Sequence, residues 1–195
     1  MIGKIHWLGN SSFLIDTTPV IYINPWRLAN PPLPADLILI GHHKHEHFSP
    51  PDIAKLSRPG TRIIATEQVA KELPSAEVLR PFQTISMGRA SIKGVPATSD
   101  DGGLGFVISV NFYDIYYAGD TSSIPMMEAL HPDIMILPVD GAGTMTAHAA
   151  ADAVKRLRPR WAIPCKWNSA SRINATLFQQ EASASSEVVL MQPAT

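Results

Sequence analysis

Short apolar runs closed by glycine, asparagine or proline recur along the whole chain. This is the spacing of buried strands bounded by turn residues. Residues 2 to 8 and 12 to 16 predict two strands around a Gly9-Asn10 turn, and Val20 to Ile23 a third, stopped by Asn24-Pro25. Residues 27 to 35 predict a loop, because Pro31, Pro32 and Pro34 cannot donate to a ladder. Asp36 to Ile40 reads as a buried strand ended by Gly41. Further strands are predicted at Arg62 to Ala65, within 77 to 97, at Asp133 to Leu137, Trp161 to Pro164 and Val188 to Met191. Leu104 to Val110 and Tyr113 to Ala118 predict a hairpin turning near Asn111.

Helical spacing enters between these runs. Ser49 caps a predicted helix with Pro50 and Pro51 in its first turn, and Pro59-Gly60 stops it. Glu67 to Leu73 and the stretch around Met126 to Leu130 predict short helices. Thr146 caps the strongest helix, where Ala150, Ala153, Val154 and Leu157 form one apolar stripe. Lys155, Arg156 and Arg158 suit its C-terminal dipole, and Pro159 terminates it. Residues 174 to 184 predict a last helix. A β-rich first half, then helices between apolar strands, predicts an α+β fold with helices outside sheets. No linker or sequence repeat divides it, so 1-195 is read as a single domain.

Composition narrows the function classes. With 45% hydrophobic and 17% charged residues, the chain is globular rather than disordered. The net charge of −1, without a basic stripe, argues against nucleic acid. No apolar run reaches the length of a membrane span, and no signal-peptide core opens the sequence. Cys165 is the one cysteine, which suits a reducing compartment; a cytoplasmic location is expected. Cys165 reads as a small buried hydrophobe.

The candidate chemistry sits in residues 42 to 47, His-His-Lys-His-Glu-His, directly after the strand that Gly41 ends. Four of the seven histidines lie there. Imidazole and carboxylate at a strand's carboxyl end is a setting for metal-assisted chemistry. Lys44 stands in the middle, and a protonated lysine cannot ligate a metal.

Several segments together resemble the metallo-β-lactamase superfamily, and within it the small metal-dependent hydrolase branch that includes ascorbate-6-phosphate lactonase. His6-Trp7-Leu8-Gly9 with Ser12-Phe13-Leu14-Ile15 resembles that branch's WLGHASFLI, and Ile23-Asn24-Pro25-Trp26 its IDPW. Asp36 through Ser49 resembles DLILVTHxHxDHFS without a gap. Tyr117-Ala118-Gly119-Asp120-Thr121 resembles its GDT turn. Leu137-Pro138-Val139, Thr144-Met145, Ala149-Ala150 and Ile163-Pro164 resemble later segments. The resemblance implies a four-layer αββα sandwich with a site at one edge of the sheets. It also implies a hydrolase acting on a small ester, lactone or phosphorylated metabolite through a metal-bound hydroxide. By analogy with the branch, a homo-oligomer is expected.

Carried over residue by residue, the resemblance implies His42, His47, Asp120 and Glu46 as metal ligands, for zinc or manganese at one site. Glu46 stands where the branch has Asp. Lys44 and Lys166 stand where it has ligand histidines, and Thr98 or Ser99 where it has another. Asn10 and Asn24 replace a His and an Asp that orient ligands. Asp120, Glu46, Lys44 and Lys166 are the expected catalytic or substrate-contacting residues. A slipped register through His43, His45, Glu46 and His47 is a second ligand set. A different outcome is a metal-free family member, in which the ammonium groups of Lys44 and Lys166 balance Asp120 and Glu46. In that case the partner is a small anion.

Overall fold

Strands with apolar residues on both faces must be covered on both sides, and the side-chain period of two assigns each residue to a layer. In the first sheet Phe13, Ile15, Ile21, Ile23, Leu37, Leu39 and Ile64 enter the core between the sheets. Their neighbours Leu14, Tyr22, Ile38, Ile40, Ile63 and Ala65 enter a second core with Ile53, Leu56 and Val69 of the flanking helices. The alternation therefore places the first sheet between the second sheet and its own flanking helices.

The computed structural model describes residues 1–31, 33–98, 102–123 and 129–194. The first sheet has the order β1 (Ile5–Gly9), β2 (Ser12–Ile15), β3 (Ile21–Ile23), β4 (Leu37–Ile40), β5 (Arg62–Ala65) and β6 (Glu77–Val78). Its first three strands are antiparallel neighbours and the rest run parallel, joined through α1 (Pro50–Leu56) and α2 (Glu67–Glu72). The second sheet runs from β7 (Thr84–Met87) through β8 (Ala90–Ala97), β9 (Gly103–Val110), β10 (Tyr113–Tyr117), β11 (Ile134–Pro138) and β12 (Trp161–Cys165) to β13 (Glu187–Val188). It repeats the plan. An antiparallel meander leads into parallel strands that cross over through α3 (Ala147–Leu157) and α4 (Arg172–Ala182).

This is the α+β, four-layer αββα arrangement expected from the sequence. Thr146 caps α3, its hydroxyl accepting the Ala149 N–H at 3.2 Å. Asn111 and Phe112 take φ of 51° and 65°, the mirror-image turn that matches strand twist in a tight hairpin. Two local expectations change. Ser49 occupies the cap position of α1, but its hydroxyl donates to Asp52 Oδ2 at 2.7 Å instead of accepting a helix N–H. The last strand is Glu187–Val188, two residues pairing with Trp161 and Ala162, and not Val188 to Met191. Met126-Met127 and most of the helix predicted around them lie outside the described residues. Among the described residues no helix is long and apolar enough to cross a membrane.

Candidate active site

Glycine brings the two sheets to backbone distance at one edge. The Leu104 N–H donates to Gly41 O at 2.9 Å, and a Cβ on Gly41 would lie 2.5 Å from Leu104 O. Gly119, at φ 69°, approaches the same carbonyl, where a Cβ would sit 2.8 Å away. No larger residue allows this approach without shifting backbone. The segments beyond β4 and β10 are thereby drawn together. β4 delivers His42 to His47, β10 delivers Asp120, β12 delivers Lys166, β8 delivers Thr98 and β3 delivers Asn24.

Asp120 is the centre of the cluster. Lys166 Nζ donates to its Oδ1 at 2.9 Å, and His47 Nε2 lies 3.1 Å from its Oδ2. His47 and Asp120 are buried, 1% and 5% exposed, and Lys166 is largely so, with its side chain 10% exposed. Burial alone would raise the Asp120 carboxyl, but the His47 hydrogen bond and the Lys166 ammonium outweigh it, and the group is held well below the usual carboxylate range. Burial alone would lower the Lys166 ammonium, but Asp120 outweighs that and raises it. Lys166 takes φ 58°, a left-handed conformation unusual for lysine.

Hydrogen-bond partners assign the imidazole tautomers. The Gly41 N–H donates to Asn24 Oδ1 at 2.8 Å, so Asn24 turns its amide Nδ2 towards His47 Nδ1, 2.9 Å away. Nδ1 must accept, so the ring proton sits on Nε2 and is donated to Asp120. The second Nδ2 hydrogen goes to Tyr117 Oη at 2.8 Å, and Tyr117 donates onward to Ser11 O at 3.0 Å. His42 Nδ1 accepts the Lys44 N–H at 3.0 Å. Burial, then the neighbouring His47, Lys44 and His43, push His42 down to about 4, so it is neutral at pH 7.

The remaining candidates diverge. Glu46 pairs with the exposed His45, Nδ1 to Oε2, at 3.0 Å. His45 is 84% exposed, so the slipped ligand register does not converge on Asp120. His43 stacks on His42 with ring centroids 4.6 Å apart. The Lys44 ammonium makes no ion pair among the described residues; it does not join Asp120 as Lys166 does. Thr98 is exposed, its hydroxyl 2.9 Å from that of Thr121, and Ser99 lies outside the described residues. Cys165 is buried beneath the site, and burial pushes its thiol up, away from nucleophilic thiolate. Tyr117 escaped the sequence reading. Its signal is a hydroxyl carried by a fully buried strand position just before the Gly-Asp turn.

Glu46, His47 and Asp120 each place a donor atom within 4.8 Å of the others, which is the one cluster of metal-ligand type among the described residues. Its chemistry does not fit a hydrolytic metal centre as arranged. Such a centre needs about three protein lone pairs and an open position. Here His47 turns an N–H towards Asp120, both Asp120 oxygens are engaged, and Lys166 brings a positive charge to the same carboxylate. His42, implied as a ligand, stands outside the three-residue cluster and spends its Nδ1 lone pair on Lys44 N–H.

Comparison with known proteins places this architecture. The Beta-lactamase superfamily domain model matches residues 4–166. A protein of Thermococcus onnurineus named UPF0173 metal-dependent hydrolase is 33% identical over 220 residues, covering 97% of this chain and 96% of its own. One of the same name from Methanosarcina mazei is 28% identical over 223 residues, covering 97% and 96%. Among solved structures, a protein of Parabacteroides distasonis described as a metal-dependent hydrolase superposes with a TM-score of 0.88 at 26% identity, covering 98% of this chain and 93% of that one. A metallo hydrolase of Ignicoccus hospitalis gives 0.85 at 22% identity, covering 98% and 95%. With its two-sheet sandwich and its edge cluster centred on Asp120, this chain belongs to the metallo-β-lactamase superfamily.

Proposed function

We propose that this chain is a hydrolase-superfamily member in which a Lys166–Asp120–His47 cluster stands in place of the metal centre, and that its site binds a small anion. The observation that carries this reading is the double engagement of Asp120, by the Lys166 ammonium at 2.9 Å and the His47 imidazole at 3.1 Å. The ion pair neutralises the carboxylate without a dication, and a buried charge is tolerable when it is paired and hydrogen-bonded.

The acid–base inventory supports the same reading. Asp120 is held too acidic to be an effective base near neutral pH, and Lys166 is held protonated. Cys165 and Tyr117 are pushed far towards their protonated forms by burial. Lys44, half-buried beside His42 and without an ion pair among the described residues, supplies the cation for an anionic ligand. The test is calorimetric titration with inorganic phosphate and small phosphorylated sugars or carboxylates. Saturable binding that disappears in Lys44→Met is expected; absence of binding across that set contradicts the anion role.

A second reading has its own observation. Glu46, His47 and Asp120 lie close enough to hold one divalent ion, zinc or manganese, once His47 gives up its Nε2 proton. Such an ion would supply an activated water for hydrolysis of a small ester, lactone or phosphorylated metabolite. The names of the curated relatives favour this reading. Lys44 and Lys166 would then contact the substrate anion. Turnover of a lactone or phosphoester that depends on added zinc or manganese, and is lost in Asp120→Ala, would establish it over the first.

A further inference from the structure

We infer that Asn24 fixes His47 in the Nε2-protonated form and thereby closes the site to metal. This rests on the metal-free reading and names the residue that enforces it. The constraint begins in the backbone. Gly41 is held by its carbonyl's bond to the Leu104 N–H at 2.9 Å and by tight packing against Leu104 O. Its own N–H points at Asn24 Oδ1, 2.8 Å away. Asn24 is 0% exposed, has φ 45°, and its N–H is tied to Leu39 O at 2.8 Å. Turning the amide over would set its NH2 group against the Gly41 N–H, donor against donor, at a fully buried position where an unmade hydrogen bond is costly.

The orientation therefore has one satisfied solution, and it offers His47 Nδ1 a hydrogen. Both Nδ2 hydrogens are used, on His47 Nδ1 and Tyr117 Oη, and Tyr117 has Ser11 O for its own proton. A metal-ligating imidazole needs the opposite arrangement, with Nδ1–H donated to an acceptor and the Nε2 lone pair free. An aspartate at position 24 would supply that acceptor. One carboxylate oxygen can take the Gly41 N–H, and the other can take both His47 Nδ1–H and the Tyr117 hydroxyl. Nε2 would then present a lone pair beside Asp120 and Glu46, a set that a dication completes. Asn24 acts through His47, so it is a positioning residue.

Two measurements test this. The first is long-range nitrogen–carbon-bound-proton NMR of the histidine rings in ion-free wild type, with His47 identified by its loss in His47→Gln. A protonated Nε2 is expected; a protonated Nδ1 overturns the role of Asn24 while leaving the metal-free reading standing. The second is zinc titration of wild type and Asn24→Asp by competition with a chromophoric chelator, with the tautomer measured in each ion-free protein. Asn24→Asp is expected to bind zinc about 10- to 100-fold more tightly, the range typical of partners that orient a ligand, and to move the His47 proton to Nδ1. A gain without the proton shift overturns the inference, since added negative charge would explain it. So does a proton shift without a gain. If Asn24→Asp does not fold, the wild-type tautomer decides alone. A tightly held ion in wild type removes both this inference and the reading beneath it.

Discussion

Lys166 and Lys44 carry the same signal in the sequence: each is a lysine where the resemblance implies a ligand histidine. Structurally they differ. Lys166 follows β12 in a left-handed backbone turn, is 10% exposed, and reaches the carboxylate at the centre of the site. Lys44 sits in the loop after β4, half-buried, with its backbone N–H committed to His42 Nδ1 and no ion pair on its ammonium among the described residues. A substitution at a ligand position does not dictate its own replacement chemistry. The strand that delivers the residue decides whether its charge is spent inside the fold or left for a ligand.

The widest separation between the two lysines should appear in stability. Lys166→Met leaves Asp120 buried without its counter-charge, and loss of one partner of a buried pair costs about 3–5 kcal/mol. Lys44→Met should change stability by about 0.5 kcal/mol or less. Urea denaturation of both variants measures the contrast, and equal effects would erase it.

The pH dependence sharpens it next. His42 is lowered by burial first, from 6.5 to about 4. The unfolded chain therefore binds more protons than the folded one between these values, and stability falls as pH drops from about 6.5 to about 4, by roughly 3 kcal/mol. Asp120 acts further down. Its folded value lies below its unfolded one, so its contribution is complete above the ordinary carboxylate value and is lost as pH falls through the folded one. Denaturation curves between pH 7 and 4 should show the first loss, and His42→Gln should flatten it.

Smaller effects test the scaffold that sets the two lysines apart. Gly41→Ala places a methyl against Leu104 O, at an ideal distance of 2.5 Å, and should cost about 1–3 kcal/mol while disturbing the loop that carries Lys44. Thr146→Ala removes the α3 cap and should cost about 1 kcal/mol without altering anion binding. Thermal unfolding with phosphate titration measures both.

Much of the fold was legible because short apolar runs closed by glycine, asparagine or proline mark most of the strands. Leu37 to Ile40 shows its limit. The run announces a strand buried on both faces, yet only the structure says that Leu37 and Leu39 meet the second sheet while Ile38 and Ile40 meet helices. Val188 to Met191 misled because apolar residues can pack without laddering: the Val189 N–H still reaches Ala162 O at 2.9 Å, but Leu190 and Met191 pack against the core outside the Glu187–Val188 strand. In the site, Asp120, His47, Glu46 and Lys166 were nameable from resemblance. The direction of the His47 hydrogen bonds was not. It depends on the Gly41 N–H and the Tyr117 hydroxyl, whose contacts with Asn24 no sequence pattern announces.

The most direct test of the central claim is metal stoichiometry, measured by elemental analysis on untagged protein purified without chelator and again after incubation with zinc or manganese. An ionic cluster in place of the metal centre predicts well under one ion per chain in both samples and an unchanged melting temperature on adding metal. About one ion per chain, lost in Asp120→Ala and accompanied by a rise in melting temperature, would contradict it and return the chain to metal-dependent hydrolysis.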